Sequence, residues 1–157
     1  MALKRGILFA SMLAVVVTGT AIATHTSVGL SSTLLGRGSG DRATLAALVA
    51  ELGSMHALGT SDVAVVRATL AAGGTTDWHG HPGPSIVVVT AGTIQVVEPG
   101  PGGRCIATDH PTGSSFFHGE GAHTFVNAST AVAAEFLVVY FVPAGPLLVH
   151  EPAAAAC

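Results

Sequence analysis

His79 and His81 stand one residue apart in Gly73–Gly92, GGTTDWHGHPGPSIVVVTAG. In an extended strand, residues i and i+2 point to the same face, so both imidazoles can grip one cation. The other reading of so short a spacing is two polar residues in a loop. Pro82-Gly83-Pro84 follows, then Ile86-Val87-Val88-Val89, a β-branched apolar run that reads as a buried strand. Ala91-Gly92 ends it with a turn signal. A candidate metal-binding pair therefore lies at the mouth of a strand whose body is core.

A second stretch, Gly113–Asn127, GSSFFHGEGAHTFVN, places His123 four residues before Asn127, after a Gly-rich bend. It resembles the second motif of the cupin family, which ends in H-x3-N. The first stretch resembles the first cupin motif, G-x5-H-x-H-x3-E-x6-G, and Gly73, His79, His81 and Gly92 match it in type and spacing. The resemblance covers roughly residues 62 to 143. Within the cupins, HPGPSIVVVTAG and the PAGPLLVHEP-like tail ending in cysteine look like a group of small secreted bacterial proteins.

The resemblance implies an all-β, jelly-roll barrel of one domain, with His79, His81 and His123 pointing inward as ligands to one metal. Two departures bear on that site. Ser85 stands where the first motif has its glutamate, and serine is a poor ligand. The turn HGEGAH lacks the second motif's proline and is about one residue shorter than the family's spacing. Three neutral imidazoles bind divalent transition metals and leave open positions, as catalytic rather than closed structural sites do. Without a carboxylate the site keeps the full +2 charge and favours an anion or a bound hydroxide. Likeness to three-histidine cupin dioxygenases suggests iron, and Zn, Mn, Ni and Cu suit the same ligands. His118 and Glu120, in the turn, are alternatives for a fourth ligand, but a solvated turn is the simpler reading. Trp78 reads as packing at the barrel rim, and Asp109-His110 as a surface loop pair. Phe116, Phe125, Phe136 and Phe141 read as core aromatics; the phase of Tyr140 is not decided by alternation.

The elements that must carry these residues follow. Lys4-Arg5, the apolar run Gly6–Val17 and Ala21-Ile22-Ala23 make a secretory signal peptide, with cleavage expected after Ala23. The run is short for a bilayer span, which needs roughly 20 residues. Thr24–Cys157 then forms one domain, large enough to bury a core. The apolar fraction of 49% is inflated by the signal, and losing Lys4 and Arg5 makes the formal charge of −3 more negative. No lysine and four arginines remain, which argues against nucleic acid and anionic lipid as partners. The partners expected are a small molecule and no membrane after cleavage; a homodimer stays open.

Residues 24 to 61 read as an N-terminal arm. Thr24–Arg42 looks like a linker, and Leu45, Leu48, Val49 and Leu52 give Ala43–Leu52 a helical stripe. Short strands separated by Gly/Pro turns fill the barrel, residues 62 to 150: one from Asp62 to Leu70 followed by a turn at Ala71–Gly74, then Ser85–Thr90, Thr93–Val97, Arg104–Ala107, Ser114–Phe117, His123–Asn127 and Ala133–Val142. Residues 151 to 157 are a tail. Cys105 and Cys157 are the only cysteines, and in an exported domain they suggest a disulfide closing about 50 residues; two free thiols or a thiol ligand are the alternatives. Two functions fit: an exported metal-dependent enzyme acting on a small molecule, or a non-catalytic ligand-binding or structural barrel with a degenerate site. Cupins host both, so the fold does not choose.

Overall fold

The computed structural model describes residues 27–40, 61–145, 148–150 and 157. The expected signal peptide and the helix at 43–52 lie outside the described residues. Among the described residues there are eight strands: β1 Val28–Gly40, β2 Ser61–Thr75, β3 Ser85–Ala91, β4 Thr93–Pro99, β5 Cys105–Pro111, β6 Ser115–His118, β7 Thr124–Val126 and β8 Ala134–Pro143. They form one sheet in the order β5-β4-β7-β2-β8-β3-β6, with β1 added against β2. Every pairing is antiparallel, and the sheet curls into a nearly closed barrel, the jelly roll expected.

Alternation along the strands sets the inside. Ala64, Val66 and Ala68 of β2 lie beside Tyr140, Val138 and Phe136 of its neighbour β8 on the inner face, and Leu70, Val142, Val87, Val89, Ile94, Val96 and Phe125 complete the core. The run 86–89 is a strand, but only Val87 and Val89 are buried; Ile86 and Val88 take the half-buried outer face. The turn after β3 is tight: Gly92 has φ 72°, and a Cβ there would meet Ala133 O and Ala134 Cα at 2.9 Å each. Both facts select glycine.

Three segments differ from expectation. Residues 28–40, read within a linker, are a strand paired along nearly the whole of β2. Local composition rich in Ser, Thr and Gly hid it, because the pairing partner is remote in sequence. Arg37 Nε donates to the Asp62 carboxylate at 2.6 Å, and the Ser39 hydroxyl donates to the same group at 3.0 Å, which ties β1 to β2. The turn expected at 71–74 is instead absorbed into β2, with Gly73 at φ 71° bending the strand. Asp109 and His110 belong to β5 rather than a loop: Gln95 Nε2 donates to Asp109 at 2.9 Å, and the His110 ring stacks on Phe116 at 3.9 Å.

Candidate metal centre

The segment ahead of β3 and the segment ahead of β7 meet at an isolated antiparallel bridge. His79 N donates to His123 O, and His123 N donates to His79 O, both at 2.9 Å. Directly opposed residues of an antiparallel pair project to the same face. His79 and His123 are thus brought together by backbone pairing, and His81, two residues on, shares their face. The ring centroids lie 4.9 Å apart for His79–His81, 4.3 Å for His79–His123 and 5.0 Å for His81–His123. One nitrogen from each ring lies within 4.8 Å of the others, a group that could hold a metal ion. Phe125 floors the cluster, 5.1 Å from His123, and separates it from Phe136 of the core.

Each ring is fixed in orientation and tautomer by its Nδ1. His79 Nδ1 faces Asp77 O at 2.8 Å, His81 Nδ1 faces Leu148 O at 2.8 Å, and His123 Nδ1 faces Gly121 O at 3.0 Å. A carbonyl oxygen only accepts, so in all three rings Nδ1 carries the hydrogen and Nε2 carries the lone pair. This is the arrangement that orients metal-ligating histidines. Asp77 presents its carbonyl from a left-handed turn, φ 59°, held by Asp77 N donating to the Thr75 hydroxyl at 3.0 Å and Trp78 N donating to Asp77 Oδ1 at 2.8 Å. His123 Nε2 is buried with no hydrogen-bond partner, as a nitrogen awaiting a metal would be.

Burial also sets the charge state. It pushes His81 down to about 3, and the neighbouring His79 ring adds to the shift. His123 is pushed down to about 2 by burial first, then by His79 and His118. Both rings are neutral at physiological pH, the form that binds metal.

No protein-family model matches the chain, and no curated protein matches it. Among solved structures, an oxalate oxidase in complex with glycolate is 25% identical, with a TM-score of 0.53 over 78% of this chain and 55% of that one. An oxalate oxidase in complex with the substrate analogue glycolate is 26% identical, with a TM-score of 0.52 over 88% of this chain and 60% of that one. A cupin domain from Bordetella pertussis is 21% identical, with a TM-score of 0.48 over 72% and 93% of the two chains. The chain has the cupin fold. It spans a little over half the length of the oxalate oxidase chains it matches.

The remaining motif residues have distinct places. Asn127 is not at the cluster. Its side-chain amide, 1% exposed, donates to Leu70 O, Ala71 O and Val132 O at 2.9–3.1 Å, and its Oδ1 accepts from Ser129 N. It locks the turn after β7 to β2. Ser85 opens β3 with its hydroxyl buried and without a protein partner, opposite His118 on one side and Tyr140 on the other. Tyr140 faces the interior, its ring 4.9 Å from His81, and burial raises its hydroxyl pKa, so it stays neutral.

His118 does not sit in a solvated turn. It ends β6, is 6% exposed and lies 3.6 Å, centroid to centroid, from His123. Its Nδ1 faces Gly119 O at 3.1 Å, and its Nε2 lies 3.6 Å from a Glu98 carboxylate oxygen. Burial lowers its pKa, against the opposing effects of Gly119 and Glu98. The alternation of Ser115-Phe116-Phe117-His118 was the available signal: Phe116 turns inward, so His118 must too. Glu120 is exposed and Trp78 half-buried.

The C-terminal tail also reaches the centre, which no sequence period announced. Gly80 N donates to His150 O at 2.9 Å, and His150 N donates to Gly80 O at 3.0 Å. The tail ends at Cys157, bonded to Cys105 at the start of β5 with a Cα–Cα distance of 5.4 Å. The expected disulfide is therefore present, and neither sulfur is a metal ligand.

Proposed function

We propose that this cupin binds one divalent transition metal through Nε2 of His79, His81 and His123, and holds a small carboxylate anion there. The observation that carries the reading is the shared orientation of the three rings: every Nδ1 is committed to a backbone carbonyl, which turns Nε2 to the metal-binding role. When bound, the metal supplies a Lewis-acidic centre with open coordination positions. Neutral histidines leave its charge uncompensated, which favours an anion over a neutral ligand. The oxalate oxidases that resemble this chain include complexes with glycolate, and a small carboxylate or 2-hydroxycarboxylate is the ligand class this supports. Iron, zinc, manganese, nickel and copper all suit the donor set. The chain is exported in this reading: the N-terminal pattern and the disulfide support it.

A second reading, binding without turnover, is favoured by the closure of the site: the three rings are 6%, 2% and 0% exposed. Calorimetry of glycolate and oxalate against the metal-loaded protein tests the ligand class. Millimolar or tighter binding that disappears in the metal-free protein is expected. Anion binding that survives chelation would overturn it. Turnover of a bound anion separates enzyme from binding module.

A further inference from the structure

The three rings are not held in the same way. His79 takes its orienting carbonyl from Asp77 and His123 from Gly121, each two residues away in its own turn. His81 takes its carbonyl from Leu148, 67 residues away, in the C-terminal tail. The tail lies against the motif itself. Two backbone hydrogen bonds join Gly80 to His150, and the His150 ring covers Gly80 so closely that a Cβ there would meet its Cε1 at 2.7 Å. Gly80 points away from the face that His79 and His81 share, so the tail backs the site on its outer side. Beyond His150, the tail's end is tethered by the Cys105–Cys157 disulfide, and both cysteines are exposed.

We infer that the C-terminal tail is a working part of the metal centre, with the Leu148 carbonyl positioning His81 and the Cys105–Cys157 bond keeping that carbonyl in place. The inference rests on the proposed three-histidine metal site. Its physical basis is that the Gly80–His150 contact is an isolated bridge, not a ladder. Beside the packing of half-buried Leu148 on the core, a single bridge adds little against the entropy of releasing the segment. The disulfide removes most of that freedom. Once the tail is loose, His81 Nδ1–H is solvated, its ring turns about χ1 and χ2, and the ligand set loses its preorganisation. Loss of an orienting partner to a metal-bound histidine weakens metal binding by about 10–100-fold.

The tether can be undone chemically. A dithiol reductant attacks one sulfur as its thiolate, forming a mixed disulfide, and its second thiol then displaces the other protein sulfur. The protein gains two electrons and two protons as Cys105 and Cys157 become thiols, and the reductant leaves as a disulfide. Metal retention thereby becomes sensitive to the redox state of the surroundings.

The test compares zinc affinity, by competition with a chromogenic chelator, for oxidised wild type, the Cys105→Ser/Cys157→Ser double variant and Gly80→Ala. The double variant carries no thiol that could bind zinc itself. Both variants are expected to bind at least tenfold more weakly than oxidised wild type, with the barrel still folded by circular dichroism. Hydrogen exchange on wild type before and after phosphine reduction supplies a readout that needs neither metal nor variant. The Gly80 and His150 amides should lose protection while those of β8 keep it. Unchanged protection at Gly80 and His150 overturns the inference, as does wild-type zinc affinity in the double variant. An oxidised wild type with no zinc affinity overturns it together with the metal reading beneath it.

Discussion

The metal-free protein should lose about 4 kcal/mol of stability between pH 7.5 and pH 5. Unfolded, His81 and His123 titrate near the ordinary value of 6.5; folded, burial holds them at about 3 and about 2. Between these values the unfolded chain takes up protons that the folded chain refuses, so stability falls as pH falls. The contribution is intact above 6.5 and stops eroding only near 3 for His81 and 2 for His123. At pH 5 each ring is about 1.5 pH units below its unfolded value, and at about 1.4 kcal/mol per unit each costs about 2 kcal/mol. His118 is shifted in the same direction and adds to the loss. Asp62, whose pKa is lowered from 3.8 chiefly by the Ser39 hydroxyl, loses its contribution at still lower pH, outside this window. For a domain whose net stability is about 5–15 kcal/mol, the effect is large. Urea unfolding in the presence of a chelator, followed by fluorescence of Trp78, measures it. His123→Gln should remove about half of the pH dependence. A difference under about 1 kcal/mol between the two pH values, or greater stability in acid, would refute the assignment of buried neutral histidines.

Asn127→Ala should destabilise the protein by about 1–3 kcal/mol, because Leu70, Ala71 and Val132 carbonyls lose their donor; zinc affinity of the folded fraction should be unchanged, as competition titration would show. Ser85→Ala removes a buried hydroxyl that has no protein partner, so its melting should shift by less than about 1 kcal/mol. Ser85→Glu places a carboxylate beside the trio and should tighten zinc binding, read by the same titration. Mass spectrometry of exported protein should find the N-terminus at or close to Thr24.

Much of this architecture was legible in the chain. The shared face of His79 and His81 follows from strand alternation, which depends only on local geometry, whereas the run 86–89 reads as buried throughout and only Val87 and Val89 are. The cupin likeness of GTTDWHGHPGPSIVVVTAG and HTFVN supplied what alternation could not, the meeting of His123 with His79. The less legible parts depend on remote pairing. Strand β1 is a strand because β2 offers it an edge, and its Ser, Thr and Gly content carries no period to show it. His118 was read as solvated because its Gly-rich surroundings, GEG, dominated the inward phase that Phe116 already set. Leu148 orients His81 from 67 residues away through a backbone carbonyl, a group every residue has, so no side chain could mark it. Asn127 matched the motif by type, but its role, closing a turn on three carbonyls, needed the fold.

The most direct test of the metal centre is the zinc stoichiometry and affinity of the exported protein, purified without a polyhistidine tag, at neutral pH. One zinc per chain is expected, with occupancy held well below pH 6.5, because the folded His81 and His123 take up protons only near about 3 and about 2. His81→Ala and His123→Ala should each abolish most of the binding, while His110→Ala, whose ring stacks on Phe116, should keep it. A wild type with no affinity for zinc, iron, manganese, nickel or copper, or His81→Ala and His123→Ala variants that bind as wild type does, would contradict a metal centre at these three histidines.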